Sequence, residues 1–193
     1  GVVDFKAPPF IERFEEILSV ISSNELEFND SSVFKPGGKL KVDKSQRKNK
    51  VSFINDDKDD TCGRALYTLA QEANYNAAWN LKIDCIYPIQ YGVYEEGDFY
   101  GWHMDQNIEF DPKSNESVKK ISMSLFLNDP SEYEGGDLDI EYQGPASDPR
   151  YDSFRLPMGN AVFFQSDVWH RVRPVTSGIR KSLVAWFGGP AYT

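Results

Sequence analysis

The chain has 193 residues, 30 acidic against 21 basic, and a formal net charge of −9. That balance argues against non-specific nucleic-acid binding, and 40% hydrophobic content with 14% aromatics argues against global disorder. The length suits one domain, or one with a small extension, and we expect a single domain over 1–193, with 1–82 as N-terminal support and 83–190 as the core.

Residues 8–23 read as a helix. Pro9 can occupy its first turn, and Phe10, Phe14, Ile17, Leu18 and Ile21 fall at helical spacing. Residues 24–50 are polar, with Pro36-Gly37-Gly38 as a breaker and a basic run from Lys44 to Lys50 that reads as a solvated loop. Val51 to Ile54 looks like a short strand. Asp56 to Asp60 is a charged connection, and Asp60 or Thr61 is positioned to cap a second helix running to about Asn80. Its apolar face is Ala65, Leu66, Leu69, Ala70 and Ala73.

After residue 81 short β-prone runs alternate with turn residues: 83–94, 99–104, 120–127, 137–142, 153–156, 161–164, 168–174 and 180–187. Eight short strands at this spacing indicate a mainly β protein, a sandwich or jelly roll, with the helices flanking it. Glu134-Gly135-Gly136-Asp137 and Pro157-Met158-Gly159-Asn160 read as turns. The polar stretches 106–118 and 143–152 are candidate lids.

Cys62 and Cys85 form neither a disulfide framework nor a paired metal motif, so buried free thiols in a reducing compartment are expected. No apolar run approaches the ~20 residues that span a membrane. The start shows no signal-peptide pattern, and a first residue of Gly rather than Met leaves room for an upstream segment.

The chain has only two histidines. His103 stands two residues before Asp105, and His170 follows much later in Asp167-Val168-Trp169-His170. If residues 103 to 105 are extended, His103 and Asp105 share a face. With His170 delivered by a later strand, the three make a facial triad of the kind that holds Fe(II) and leaves coordination positions open. Zinc could use the same ligands. Downstream, Pro174 to Gly178 turn the chain and a new strand begins near Arg180, beside the His170 strand. A guanidinium there suits a carboxylate bidentately. Arg171 and Arg173 read as surface charges.

These residues resemble the Fe(II)/2-oxoglutarate-dependent oxygenases, and more narrowly the prolyl 4-hydroxylase-like branch with its bacterial and phage PKHD-type hydroxylases. The matching stretches are Tyr94-x-x-Gly97-x-x-Tyr100-x-x-His103-x-Asp105; Ser124-Leu125-Phe126-Leu127-Asn128; Tyr133-x-Gly135-Gly136-x-Leu138; Leu156-Pro157-x-Gly159-Asn160; and His170-x-Val172-x-Pro174-Val175 leading to Arg180. Upstream, Arg47 to Ile54 resembles the segment by which hypoxia-sensing prolyl hydroxylases approach their peptide.

The resemblance implies a double-stranded β-helix (jelly roll) core with the N-terminal helices packed on one sheet. It implies Fe(II) on His103, Asp105 and His170. The distal carboxylate of 2-oxoglutarate would lie on Arg180, with Ser182 assisting and Tyr94 offering its hydroxyl. It implies O2 as cosubstrate, L-ascorbate as reductant, and hydroxylation of a prolyl residue in a peptide or protein with release of succinate and CO2. No nucleic-acid or membrane partner is expected, the oligomeric state is left open with a monomer compatible, and the expected setting is cytoplasm, bacterial or phage-infected. Arg47, Phe53, Trp102 and Trp186 are the candidate substrate contacts. One departure stands out: relatives can carry a tyrosine hydroxyl where this chain has Phe126, and Ser122 or Ser124 is a candidate replacement.

Other readings remain open. A free amino acid or small metabolite would suit the same centre. A nucleobase oxygenase should show a second functional arginine after Arg180, and none follows it. A non-enzymatic jelly-roll module or a zinc cupin leaves the placement of Arg180 unexplained.

Overall fold

The computed structural model describes residues 1–6, 10–23, 26–35, 39–54, 61–106, 117–142 and 150–191. Pro9, the Pro36-Gly37-Gly38 break, the Asp56 to Asp60 connection and most of both candidate lids lie outside the described residues.

Two antiparallel sheets face each other. The larger has eight strands. Seven run in the spatial order Val2–Asp4, Asn160–Gln165, Val118–Phe126, Arg180–Gly189, Ile89–Tyr94, Lys50–Ile54 and Asn29–Asp30, and Cys85–Ile86 pairs with the end of the Arg180 strand. The smaller has five: Asp152–Phe154, Leu138–Ile140, His170–Val172, Phe99–His103 and Arg47–Lys48. Two short ribbons complete the described strands: Tyr133–Gly135 with Val175–Gly178, and Val33–Lys35 with Lys39–Lys41. This is the mainly β jelly-roll architecture expected, with each of the eight anticipated β-prone runs containing a strand.

Period-two alternation gives the large sheet two apolar faces. Ile121, Met123, Leu125, Ala161, Phe163, Leu183, Ala185 and Phe187 point outward and are almost fully buried. Helix α1 (Ile11–Ser23) covers them with Phe14 and Ile17, and α2 (Thr61–Asn76) with Cys62, Leu66, Leu69 and Ala70, each set lying on one stripe of its helix. Removing a side chain of this size from water stabilises the fold by about 1.5–3 kcal/mol. The inward face carries Tyr94, Phe126, Val162 and Phe164, which pack against Leu138, Ile140 and Val172 of the small sheet.

α2 ends at Asn76, four residues before the sequence expectation. Ala78 and Asn80 take positive φ, and the Asn74 side chain accepts from Leu81 N at 3.0 Å and donates to Leu81 O at 2.7 Å, so a local bonding alternative replaces the last helical turn.

The basic run is not a solvated loop. Arg47–Lys48 pairs with Phe99 and Tyr100 at the edge of the small sheet, and Lys50–Ile54 joins the large one. Arg47 and Asn49 are 7% and 4% exposed. Neither cysteine is in a disulfide; Cys62 is buried, whereas Cys85 is only partly so, its Sγ 3.3 Å from Ser117 Oγ.

Candidate metal and cosubstrate site

His103 and His170 are direct register partners on adjacent strands, so their side chains leave the same face of the small sheet. Asp105 lies beyond the end of its strand, not within it as the spacing argument supposed. A bend carries it inward, fixed by Asp105 N and Gln106 N donating to Ser166 O at 3.0 and 2.9 Å. One ligand atom from each of the three residues lies within 4.8 Å of the others.

The ring orientations are set from behind. His103 Nδ1 is 2.8 Å from Gly101 O and His170 Nδ1 is 3.0 Å from Val168 O. A carbonyl oxygen only accepts, so Nδ1 carries a proton in each ring, and in a neutral imidazole Nε2 is then the atom with the lone pair. Both Nε2 atoms face Asp105, at 3.6 Å from Oδ1 and 3.4 Å from Oδ2. Tyr100 stacks on His103 with centroids 3.5 Å apart, and Phe164 meets His170 edge-on at 4.7 Å. Burial, followed by the neighbouring His170, lowers the His103 pKa to about 4. Burial pushes the Asp105 carboxyl up, but His170 and His103 outweigh it and hold it well below the usual carboxylate range. The neutral His103 imidazole beside an ionised carboxylate suits a divalent cation.

Among the described residues Arg180 is the largest side chain under 2% exposed. Its guanidinium lies 5.3 Å from the ring centroids of both Tyr94 and Phe126. Nη1 donates to Ser182 Oγ at 2.9 Å, while Nε and Nη2 make no hydrogen bond. Those two N–H groups form one edge of the guanidinium, the edge that grips a carboxylate side-on. An unpaired buried cation costs several kcal/mol, and among the described residues no carboxylate pairs with it. The fold therefore presents two complementary functions between the sheets: a triad suited to a cation and a guanidinium edge suited to an anion.

The superfamily profile that matches the chain, over residues 89–188, is that of the 2OG-Fe(II) oxygenases. This chain belongs to the 2OG-Fe(II) oxygenase superfamily. A PKHD-type hydroxylase from Psychrobacter sp. (strain PRwf-1) is 37% identical over 102 residues, which cover 52% of this chain and 38% of that protein. The chain thus spans about two fifths of the length of the curated relatives it matches. A Pseudomonas putida prolyl-4-hydroxylase shares the fold at a TM-score of 0.63 and 22% identity, covering 97% of this chain and 91% of that one. A Trichoplax adhaerens prolyl hydroxylase, crystallised with a hypoxia-inducible-factor peptide, does so at 0.61 and 16%, covering 97% and 82%. The family's chemistry entails Fe(II), 2-oxoglutarate and O2.

Within this family member the remaining candidates separate. Trp186 is in register with Ser122 on the inward face, its Nε1 unpartnered, with Lys119 Nζ 3.8 Å from its ring centroid. Phe53 is in register with Gln90, which places it at the rim of the same face, 51% exposed. Trp102 does not face the triad. It neighbours His103 along the strand and so points to the opposite side, where its ring meets Arg171 and Tyr151. Arg47 is also no free substrate clamp, since its Nε donates to Asn49 Oδ1 at 2.8 Å and its guanidinium covers Tyr100 at 4.4 Å. Arg171 and Arg173 are not ordinary surface charges either, because both donate to the buried carboxylate of Asp139.

Sequence reasoning missed the support for Asp105. Ser122 Oγ donates to its Oδ2 at 2.8 Å and lies 2.9 Å from Ser166 Oγ. That occupies the hydroxyl expected near the cosubstrate. Ser166 carries no local pattern that would have singled it out.

Proposed function

We propose that the chain is an Fe(II)- and 2-oxoglutarate-dependent dioxygenase that hydroxylates a prolyl residue in a peptide or protein, releasing succinate and CO2. The observation that carries the reading is the unpartnered Nε–Nη2 edge of Arg180, buried in the barrel that also holds the triad. His103, Asp105 and His170 would hold the iron, and Arg180 with Ser182 would hold the distal carboxylate of 2-oxoglutarate, with Tyr94 beside it. Bound, these groups supply oxidative decarboxylation of the cosubstrate and transfer of one oxygen atom of O2 to a substrate C–H.

The protein's own part is positional. Gly101 and Val168 carbonyls aim the imidazoles, Ser122 and the Ser166 backbone aim the carboxylate, and the aromatic lining of Tyr94, Phe126 and Phe164 keeps bulk water from the cosubstrate side. No side chain is asked to act as general base. Trp186 and Phe53 are the inward-face residues offered to substrate. The choice of a prolyl substrate is supported by the hydroxylase relatives and by the peptide-bound Trichoplax structure. Ascorbate would keep the iron ferrous, and the expected setting is cytoplasmic; no helix among the described residues is long and apolar enough to cross a membrane. Strands from 1–82 enter both sheets, which supports one domain over the whole chain.

Anaerobic titration with Fe(II) and 2-oxoglutarate should produce a metal-to-ligand absorption band, and its absence would sink the oxygenase reading. Mass spectrometry on a proline-containing peptide library should then find products heavier by one oxygen atom, located on proline. Succinate formation without any such product would move the substrate to another class.

A further inference from the structure

Three buried donors without a partner belong to two side chains packed over one glycine. Two are Nε and Nη2 of Arg180; the third is the hydroxyl of Tyr133, which is 3% exposed, has no acceptor within hydrogen-bond reach and lies near the side chain of Arg180. The two side chains crowd the same glycine. A Cβ on Gly136 would lie 2.9 Å from Arg180 Cδ and 3.5 Å from Tyr133 Cε2, and the φ of +64° there lets the chain turn beneath them. Burial raises the Tyr133 phenol, and the nearby Arg180 charge opposes that shift, as expected of close neighbours. The phenol therefore stays protonated at neutral pH and can donate.

We propose that Tyr133 donates its hydroxyl to the distal carboxylate of 2-oxoglutarate alongside the Arg180 fork, a specificity role that rests on reading Arg180 as the cosubstrate's cation. The position where a hydroxyl was looked for, Phe126, offers Arg180 only a ring. Ser122, one proposed substitute, is committed to Asp105. Ser182 Oγ accepts from Arg180 Nη1, not from the unpartnered Nε and Nη2. Of the hydroxyls of Ser122, Ser182 and Tyr133, that of Tyr133 is the one left buried without a partner. A carboxylate has lone pairs for the two parallel N–H groups and one further O–H, so the third donor completes its shell.

The test compares the parent protein, Tyr133→Phe and Arg180→Met by calorimetric titration of the Mn(II)-loaded protein with 2-oxoglutarate and with 2-oxopentanoate, which lacks the distal carboxylate. Tyr133→Phe should weaken 2-oxoglutarate roughly tenfold or more and leave 2-oxopentanoate unchanged. The ligand-free Tyr133→Phe protein should melt no lower than the parent, because the change removes an unpaired buried hydroxyl. Unchanged 2-oxoglutarate affinity, an equal loss for both ligands, or a lowered ligand-free midpoint would overturn the role of Tyr133. Parent-like binding by Arg180→Met, or no binding by the parent, would instead bring down the underlying reading of the site.

Discussion

Ser122 Oγ lies 2.8 Å from Asp105 Oδ2, on a carboxylate whose two oxygens also face the Nε2 atoms of both histidines. A hydroxyl in that place fixes which way the carboxylate presents its free lone pairs. Substituting Ser122→Ala should weaken Fe(II) or Mn(II) binding about tenfold or more, measured by anaerobic calorimetry, without loss of the fold. Undiminished affinity would show that the Ser166 backbone contacts hold Asp105 unaided.

The pH response of the metal-free protein follows from His103. Its folded pKa of about 4 lies below the value of 6.5 for a free imidazole. The unfolded chain therefore takes up a proton first as pH falls. The stability contribution is fully present above about pH 6.5 and is lost as pH drops towards about 4. Urea midpoints of metal-free protein should fall through that window, and saturating Mn(II) should reduce the fall because metal competes with the proton. A flat profile would mean that His103 is not held neutral.

Arg180 makes opposite predictions for the free and loaded protein. Replacing the buried cation by Met removes an unpaired charge, so the ligand-free midpoint should stay level or rise. In the parent, 2-oxoglutarate at a hundredfold excess over Kd with Mn(II) should add about 2.7 kcal/mol of stability, and in Arg180→Met it should add none. Thermal scans with and without ligand check both.

Trp102 should behave as a packing residue. Its ring carries the Arg171 guanidinium at 4.7 Å on the outer face of the small sheet. Trp102→Ala should cost about 1–2 kcal/mol of stability while leaving metal and 2-oxoglutarate affinities unchanged. A selective loss of peptide turnover in a protein of unaltered stability would return it to the substrate surface.

What could be read from the sequence depended on whether a local pattern carried the information. Strands such as Ile89–Tyr94 and Arg180–Gly189 are runs of β-prone residues bounded by turn residues, and that punctuation is visible without coordinates. His103 and His170 drew notice by scarcity. The short strands Asn29–Asp30 and Arg47–Lys48 could not be read, since two residues set no period and their partners lie 20 to 53 positions away. Trp102 was misplaced although period-two alternation from His103 already turned it outward. Ser166 owes its position to the fold alone, joined to Ser122 across paired strands; Tyr133 stands in a visible motif, but only the fold lays it over Gly136 beside Arg180.

Between Arg47 and Ile54 the backbone leaves one sheet and enters the other, with Asn49 as the crossing residue. Its two ends are in register with Tyr100 and Ile89. Such a segment tolerates substitution far better than a change in length. One residue inserted near Asn49 would have to slip one of the two pairings, and a one-residue slip exchanges the faces of every side chain involved. Slipping the first would pull Arg47 from Tyr100, the ring on which His103 rests; slipping the second would turn Ile54 out of the helical core. Homologous proteins that bind the same metal in the same way should therefore vary in length at the tips of their loops and keep this stretch at constant spacing.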